Sequence, residues 1–332
     1  MMITVFGMGY VGLTLALFLT KKNIQVVGYD ISKDRIFSLL KKKSYVLENG
    51  INDILNFSID HKLLFPKILN EDKLIAESEL AFVTIGTSLH DGSIKLSEDR
   101  LIELCLKVDK AKFDVIVLRS TVAVGTCKKI SSMLKNTNIV FAPERTVEGV
   151  AMEELQSLPQ IIGSPVSKSR TKVEKFFTSL GVGVVLSDSW EEAELAKLSC
   201  NTYRDYNFSF ANSIIDIADS LGIDGNKVLK VSSQDYKRMP DILPGPVSGP
   251  CLTKDTHILE QSLTVKSSGM DLLSLSRFSN DLVCKKIVIQ LCNLAISKKV
   301  SFWGTSFKSN PDTSDTRESH TLDIIAQLQS LD

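Results

Sequence analysis

The chain has 332 residues, 43% of them hydrophobic and 23% charged, which is enough for two or slightly more packed domains of ordinary composition. Its formal net charge is zero, with Arg and Lys scattered, so no global field draws in nucleic acid or an anionic membrane. No apolar run approaches the roughly 20 residues that a membrane span needs.

Met2 to Phe6 is a short apolar run ending in Gly7, which predicts a buried parallel strand. The N-terminus enters that strand directly, without the basic start and cleavage site of a signal peptide. An apolar helix is predicted from Gly12 to Lys21, then a second strand from Ile24 to Tyr29 ending in Asp30. Lys41, Lys42 and Lys43 read as the solvated end of a helix. Leu80 to Ile85, Val115 to Leu118, Ile139 to Phe141 and Gln160 to Gly163 repeat the strand pattern, with helices between them. Such alternation predicts an α/β fold with a doubly wound parallel sheet. From Ser189 to Leu221 neither Pro nor Gly interrupts the chain. Ala193, Leu195, Ala196, Leu198, Phe208, Ala211, Ile214 and Ile217 keep helical spacing, predicting one long helix closed by Gly222. A helix of that length connects domains or forms a dimer seam. Helical pattern returns from Thr256 to Ser297. A strand at Val300 to Gly304, a polar loop and a helix near Leu322 to Leu331 complete the expected elements. The predicted division is a Rossmann domain over 1–190, a helical domain over 191–298, and the start of a second Rossmann-like domain over 299–332.

Gly7-Met8-Gly9-Tyr10-Val11-Gly12 lies between a predicted strand and a predicted helix, the context that a dinucleotide fingerprint requires. Its glycines permit the turn, the approach of backbone to a pyrophosphate, and helix-on-strand packing, with phosphate at the helix N-terminus. Asp30 ends the second strand, placed for a ribose 2′-hydroxyl, and its charge repels a 2′-phosphate, which favours NAD over NADP. A tight strand-helix turn without a ligand is the alternative reading.

Cysteines stand at 105, 127, 200, 251, 284 and 292 without a CxxC pair, and none of the four histidines has zinc-like spacing to them. The expectation is reduced thiols in a cytoplasm, and no metal. Cys251 differs from the others because it sits in Pro244-Gly245-Pro246-Val247-Ser248-Gly249-Pro250-Cys251-Leu252-Thr253-Lys254-Asp255. A thiol on a glycine-rich loop near a cation can attack a carbonyl; a lone cysteine is also a small apolar core residue. A redox cofactor and a covalent cysteine together point to dehydrogenase chemistry through an aldehyde. Arg119-Ser120-Thr121-Val122 and Ala142-Pro143-Glu144-Arg145, with Glu148-Gly149, follow strands at the carboxyl edge, where ligands bind. Lys197 and Asn201 are four apart on the long helix and share a face.

On these residues the chain resembles the UDP-glucose/GDP-mannose dehydrogenase family of NAD-dependent nucleotide-sugar 6-dehydrogenases. The matching motifs run in order: the glycine fingerprint, Asp30 with Arg35, Gly86-Thr87, Ser120-Thr121-Val122, Pro143-Glu144 and Lys197-x-x-x-Asn201. Gly249-x-Cys251-x-x-Lys254-Asp255 follows, then Phe307-Lys308 with Asp315-Thr316-Arg317-Glu318-Ser319. The resemblance implies two successive oxidations at C6 of a UDP- or GDP-sugar, giving a uronate. Lys197 would stabilise the developing alkoxide, with Asn201 as a second donor. Cys251 would trap the aldehyde as a thiohemiacetal that becomes a thioester. Asp255 and Glu144 would position or deprotonate the hydrolytic water, with Thr121 holding it. Tyr10, Val11, Thr87, Glu148, Lys254 and Arg317 would contact the cofactor. Arg238, Gly245, Gly249 and Lys308 would meet the sugar nucleotide, as would Glu144 and Glu148. Pro244-Gly245-Pro246 is similar to members acting on UDP-N-acetylhexosamines.

Other readings stand beside these. Glu144 and Glu148 suit helix starts, and Arg238 suits a solvated surface. Pro250, Thr253 and the length of the Ser306–Arg317 loop depart from the family pattern. Family members continue into a full domain that holds the substrate's nucleotide, so a shortened chain is expected. A homodimer through the long helix is expected with it. Two alternatives remain: a weakly active NAD-binding paralogue serving as an interaction subunit, and a 3-hydroxyacid or 6-phosphogluconate-type dehydrogenase, which needs no cysteine.

Overall fold

A computed structural model describes the chain except residues 70–73, 75–77, 88–97, 241, 264–267, 295–298, 312 and 331–332. The chain divides into two compact units: Met1–Lys197 with Pro311–Thr313, and Leu198–Asn310 with Ser314–Asp332.

The first unit is built on strands β1 (Met2–Phe6), β2 (Gln25–Asp30), β3 (Leu64–Ile68), β4 (Leu80–Val83), β5 (Val115–Leu118), β6 (Asn138–Phe141), β7 (Gln160–Gly163) and β8 (Val184–Ser187). They form one sheet in the order β3-β2-β1-β4-β5-β6-β7-β8. Every pairing is parallel except β6 with β7, which meet antiparallel at Phe141 and Gly163. The sheet is therefore mostly parallel. Side chains alternate between its faces, and both faces are covered. Ile3 and Val5 of β1 and Val115 and Val117 of β5 join one core, whereas Phe6, Ile116 and Leu118 join the other. Burial on both faces is why these strands read as unbroken apolar runs. Helices α1 (Tyr10–Lys21), α2 (Lys33–Leu40), α3 (Ile51–Asp60), α4 (Asp99–Lys110), α5 (Thr126–Ser131), α6 (Ala151–Ser157) and α7 (Ser167–Ser179) connect the strands. The two strands with no sequence expectation, β3 and β8, are the sheet's edges. Pro66 lies inside β3, and Val185 and Leu186 of β8 are 52% and 45% exposed, so neither has a buried-strand pattern.

Helix α8 (Trp190–Ser220) is the predicted long helix. Its first turns belong to the first unit: Trp190 donates its indole N–H to the Ile139 carbonyl at 3.0 Å, and Glu194 accepts the N–H groups of Gly125 and Cys127. It ends at Gly222, whose φ of +70° is the left-handed conformation of a helix stop, and the Ile223 N–H closes on the Ala218 carbonyl.

The second unit holds the rest of α8, then α9 (Gly225–Ser233), α10 (Leu252–Gln261), α11 (Ser268–Leu294) and α12 (His320–Gln329). Its helices are joined by a buried polar network. Arg277, 1% exposed, pairs with Asp205 at 2.5 Å, and Asn280 donates to both the carbonyl and the carboxylate of Asp205 at 2.8 Å. Cys284, Val288 and Ile324 form a small apolar cluster between α11 and α12.

One expected element is corrected. Val300 to Gly304 is not a strand: no sheet pairing reaches these residues among the described ones, and Trp303 is 96% exposed. An apolar run becomes a strand only where another backbone pairs with its N–H and C=O groups. The expected helical stretch to Ser297 and the last helix to Leu331 extend into residues outside the described ones.

Candidate active site

In the first unit the fingerprint has the geometry its glycines predict. Gly7 has a φ of +92°, and its N–H donates to the Tyr29 carbonyl at 2.7 Å. A Cβ on Gly12 would lie 1.8 Å from the Gly7 carbonyl oxygen. Gly9 is the N-cap of α1 and offers no side-chain cap to the helix N–H groups. A Cβ there would meet only the Arg35 guanidinium, at 3.9 Å, so backbone donors face open space that an anion can enter. Asp30 is 4% exposed, and its two oxygens accept the Ser32 N–H at 2.8 Å and the Met8 N–H at 2.7 Å. Oδ1, with that one donor, keeps a lone pair for a ribose hydroxyl. Arg35, half exposed, lies 3.5 Å from the same carboxylate. These residues fit a bound NAD.

Side chains bridge the strand ends beside this turn. Thr84 donates to the Gly7 carbonyl at 2.6 Å, Ser120 to the Ile85 carbonyl at 2.6 Å, and Thr87 to the Thr121 carbonyl at 2.7 Å. The predicted loops after β1, β4 and β5 are thereby held together at the crevice where strand order reverses. Tyr10 and the N–H groups of Gly149 and Ala151 all donate to the buried carboxylate of Glu48, which binds the Glu148 loop to the start of α1. Glu148 itself accepts from Thr313 at 3.0 Å.

Glu144 follows β6 and is 8% exposed. Arg119 donates to its Oε2 at 2.5 Å, and the N–H groups of Arg145 and Thr146 donate to Oε1 at 2.8 and 3.0 Å. Burial alone would push its pKa up, but the Arg119 charge and these N–H groups hold it below the usual carboxylate range. Glu144 is thus an ionised acceptor better suited to orienting water than to taking its proton. Arg119, for which sequence reasoning gave no role, also donates to the Ala142 carbonyl and to Gln160, and lies over the Phe177 ring. Its one sequence signal was a charge at the end of an all-apolar strand.

Lys197 and Asn201 stand one turn apart on α8. Lys197 is 6% exposed and, among the described residues, makes no hydrogen bond or ion pair. A buried lysine without a partner is rare.

In the second unit, Asn201 donates to Asp255 Oδ2 at 2.6 Å, while Asp255 Oδ1 is buried without a hydrogen-bond partner among the described residues. Cys251 is the N-cap of α10 and is exposed, and Asp255 lies one turn further on. A helix N-terminus favours negative charge, the form in which a thiol attacks. The preceding loop is held at several points. Asn212 makes two bonds to the Gly245 backbone, at 2.7 and 3.0 Å. Gly249 has a φ of +93°, and the Phe307 ring occupies the place a Cβ would take, 2.6 Å away. Phe307 in turn donates its N–H to the Asp315 carbonyl at 2.9 Å. Lys254 and Lys308 are half-buried, and Lys308 lies over the Phe307 ring. Arg317 is exposed and paired with Asp315. Arg238 is exposed, with its guanidinium 5.2 Å from the Tyr236 ring.

Known proteins share this chain's sequence pattern and fold. Residues 1–181 match the profile described as the UDP-glucose/GDP-mannose dehydrogenase family, NAD binding domain, and residues 191–282 match that family's central domain. The UDP-N-acetyl-D-mannosamine dehydrogenase of Methanococcus vannielii is 30% identical over 341 residues, covering 98% of this chain and 76% of that protein. The GDP-mannose 6-dehydrogenase of Pseudomonas aeruginosa is 28% identical, covering 99% of this chain and 78% of that protein. Among solved structures, a UDP-D-ManNAc dehydrogenase from Pyrococcus horikoshii superposes with a TM-score of 0.87 at 23% identity, covering 99% of this chain and 81% of that one.

Proposed function

This chain belongs to the UDP-glucose/GDP-mannose dehydrogenase family of NAD-dependent oxidoreductases, and we propose that it oxidises C6 of a UDP-N-acetylhexosamine, UDP-N-acetyl-D-mannosamine foremost, to the uronate. The observation that carries the reading is the buried Lys197, without a partner among the described residues, one turn from Asn201, which itself bonds Asp255. A cation kept out of water without a counter-charge is matched to an oxygen that becomes anionic during reaction. The first relatives' names and the Pro244-Gly245-Pro246 loop support the choice of sugar.

Bound NAD supplies the hydride acceptor, twice per sugar. Lys197 stabilises the alkoxide as the C6 hydroxyl gives its proton to water, Asn201 donates to the same oxygen, and loss of the first C6 hydride leaves the aldehyde. The Cys251 thiolate adds to the C6 aldehyde to give a thiohemiacetal. Loss of its C6 hydrogen as a second hydride leaves a thioester. Water, oriented by Glu144 and Thr121 and deprotonated at Asp255, cleaves the C–S bond, freeing the thiol and the carboxylate. Tyr10, Val11, Asp30, Arg35, Thr87, Lys254 and Arg317 are proposed for the cofactor. Glu148, Arg238, Gly245, Gly249 and Lys308 are proposed for the sugar nucleotide.

The same reading keeps three functional regions, 1–190, 191–298 and 299–332, and a homodimer through α8. Tyr203, Tyr206, Phe210 and Ile217 make an exposed stripe at helical spacing on that helix, which suits a partner helix. A cytoplasmic location goes with it: among the described residues no disulfide joins the cysteines and no helix is long and apolar enough to cross a membrane. The test is NADH formation with a panel of UDP- and GDP-sugars, in wild type and Cys251→Ala. Two NADH per sugar and uronate from wild type, with uronate lost in the variant, is the expected result. No turnover with any sugar while NAD still binds would instead support the non-catalytic subunit.

A further inference from the structure

We propose that His320 is a positioning residue for the Cys251 thiol, fixing the loop that delivers it; the proposal rests on the reading of Cys251 as nucleophile. Three consecutive loop residues are bonded to one short segment, all within the second unit. The imidazole Nε2 of His320 donates to the Val247 carbonyl. The backbone N–H of His320 donates to Ser248 Oγ at 3.1 Å. The Gly249 N–H donates to the Glu318 carbonyl at 3.0 Å. Val247 is 1% exposed, so its carbonyl has little access to water and depends on a protein donor. Thr253 then donates its hydroxyl to the Gly249 carbonyl at 2.9 Å, joining the loop to the first turn of α10 behind Cys251. The Val247 carbonyl, the Ser248 hydroxyl and both backbone groups of Gly249 are thus met by residues 318–320 or by α10.

The chemistry of the imidazole suits a fixed strut. Donation from Nε2 puts the proton there, which leaves Nδ1 of the neutral ring as a bare acceptor; among the described residues it has no hydrogen-bond partner, and it lies 3.7 Å from Asp323 on its own helix. Among the described residues, the charges of Arg277 and Asp281 on α11 also act on the ring. Burial pushes the His320 pKa down, against the Val247 carbonyl and the two aspartates. Because Nε2–H donates in both the neutral and the protonated ring, the strut survives titration. The donor matters here, not the charge.

His320→Ala, His320→Gln, Ser248→Ala and Cys251→Ala are compared with wild type as the full chain. Cys251 alkylation by iodoacetamide at pH 7.5 is followed by peptide mass spectrometry, which separates it from the exposed Cys200 and Cys292. In parallel, NADH, aldehyde and uronate are counted per sugar. His320→Ala should slow Cys251 alkylation about tenfold and release aldehyde after the first oxidation, because a displaced nucleophile costs rate without costing binding. Its KM for the sugar should stay within about twofold. His320→Gln, which retains a donor, should restore both readouts, an outcome that a merely structural role would not give. Ser248→Ala should move both readouts the same way by less, and serves if His320→Ala does not fold. Wild-type alkylation and uronate yield in His320→Ala, or no recovery in His320→Gln, overturns the proposal. Uronate from Cys251→Ala overturns the nucleophile reading beneath it; only that failure leaves the alkylation difference between wild type and His320→Ala intact.

Discussion

Replacing Arg119 by Met tests how Glu144 is kept ionised. Arg119 is 1% exposed and donates to Glu144, Gln160 and the Ala142 carbonyl, so its removal leaves a buried carboxylate with only two backbone donors. Breaking one side of a buried ion pair costs about 3–5 kcal/mol. That cost should depend on pH. In wild type the folded pKa of Glu144 lies below its ordinary 4.5, so its contribution is present above the unfolded pKa and lost as pH falls through the folded one. Without Arg119, burial dominates and the folded pKa rises above the unfolded value, so the variant loses stability as pH rises through that raised value. The penalty should therefore be full at pH 7.5 and at least about 1 kcal/mol smaller at pH 5. Urea unfolding followed by Trp190 fluorescence measures it. The chain has two tryptophans, and Trp303→Phe removes the other at a site that is 96% exposed. Trp190 is 8% exposed and bonded to Ile139 of β6, so it reports on the first unit. Adding Glu144→Gln to Arg119→Met should recover most of the loss at pH 7.5, giving a coupling of about 2 kcal/mol or more. A penalty below about 1 kcal/mol, or one equal at both pH values, would refute the account of a charge-locked Glu144.

Gly12→Ala should weaken NAD binding at least about tenfold and cost about 2–3 kcal/mol, since the added Cβ would press on the Gly7 carbonyl and Thr84 Oγ1 at 1.8 and 2.5 Å. Calorimetric NAD titration and thermal melting measure both, and an unchanged NAD affinity would count against the fingerprint geometry. Asn201→Ala should leave both Asp255 oxygens buried without partners, lowering stability by about 1–3 kcal/mol. The same substitution should lower kcat more than it raises KM; equal activity in wild type and variant would remove Asn201 from the chemistry.

The central strands were legible because both their faces are buried, which writes β4 and β5 as continuous apolar runs. The edges were not: β3 carries Pro66, and β8 turns Val185 and Leu186 toward solvent. Val300–Gly304 has the composition of a strand, but strand formation also needs a partner, which composition does not contain. Within the candidate site, spacing along one helix was readable, as for Lys197 with Asn201 and Cys251 with Asp255. Contacts between distant segments were hidden. Arg119 meets Glu144 across 25 positions, Asn212 meets Gly245 across 33, and His320 meets Val247 across 73. A lone polar residue gives no local sign of such a partner, because hydrogen bonding at that range is set by how the elements stack.

The bonds between the Cys251 loop and residues 307–320 bear on how this enzyme can be bred with its homologues. Phe307 fills the space over Gly249, and His320 supports Val247, although 58 positions (249 to 307) and 73 positions (247 to 320) separate the pairs. A crossover anywhere between Cys251 and Phe307 would join a loop from one parent to a brace from the other. Shuffled libraries that aim to change sugar preference should therefore carry positions 244–251 and 307–320 from the same parent, as a single discontinuous cassette.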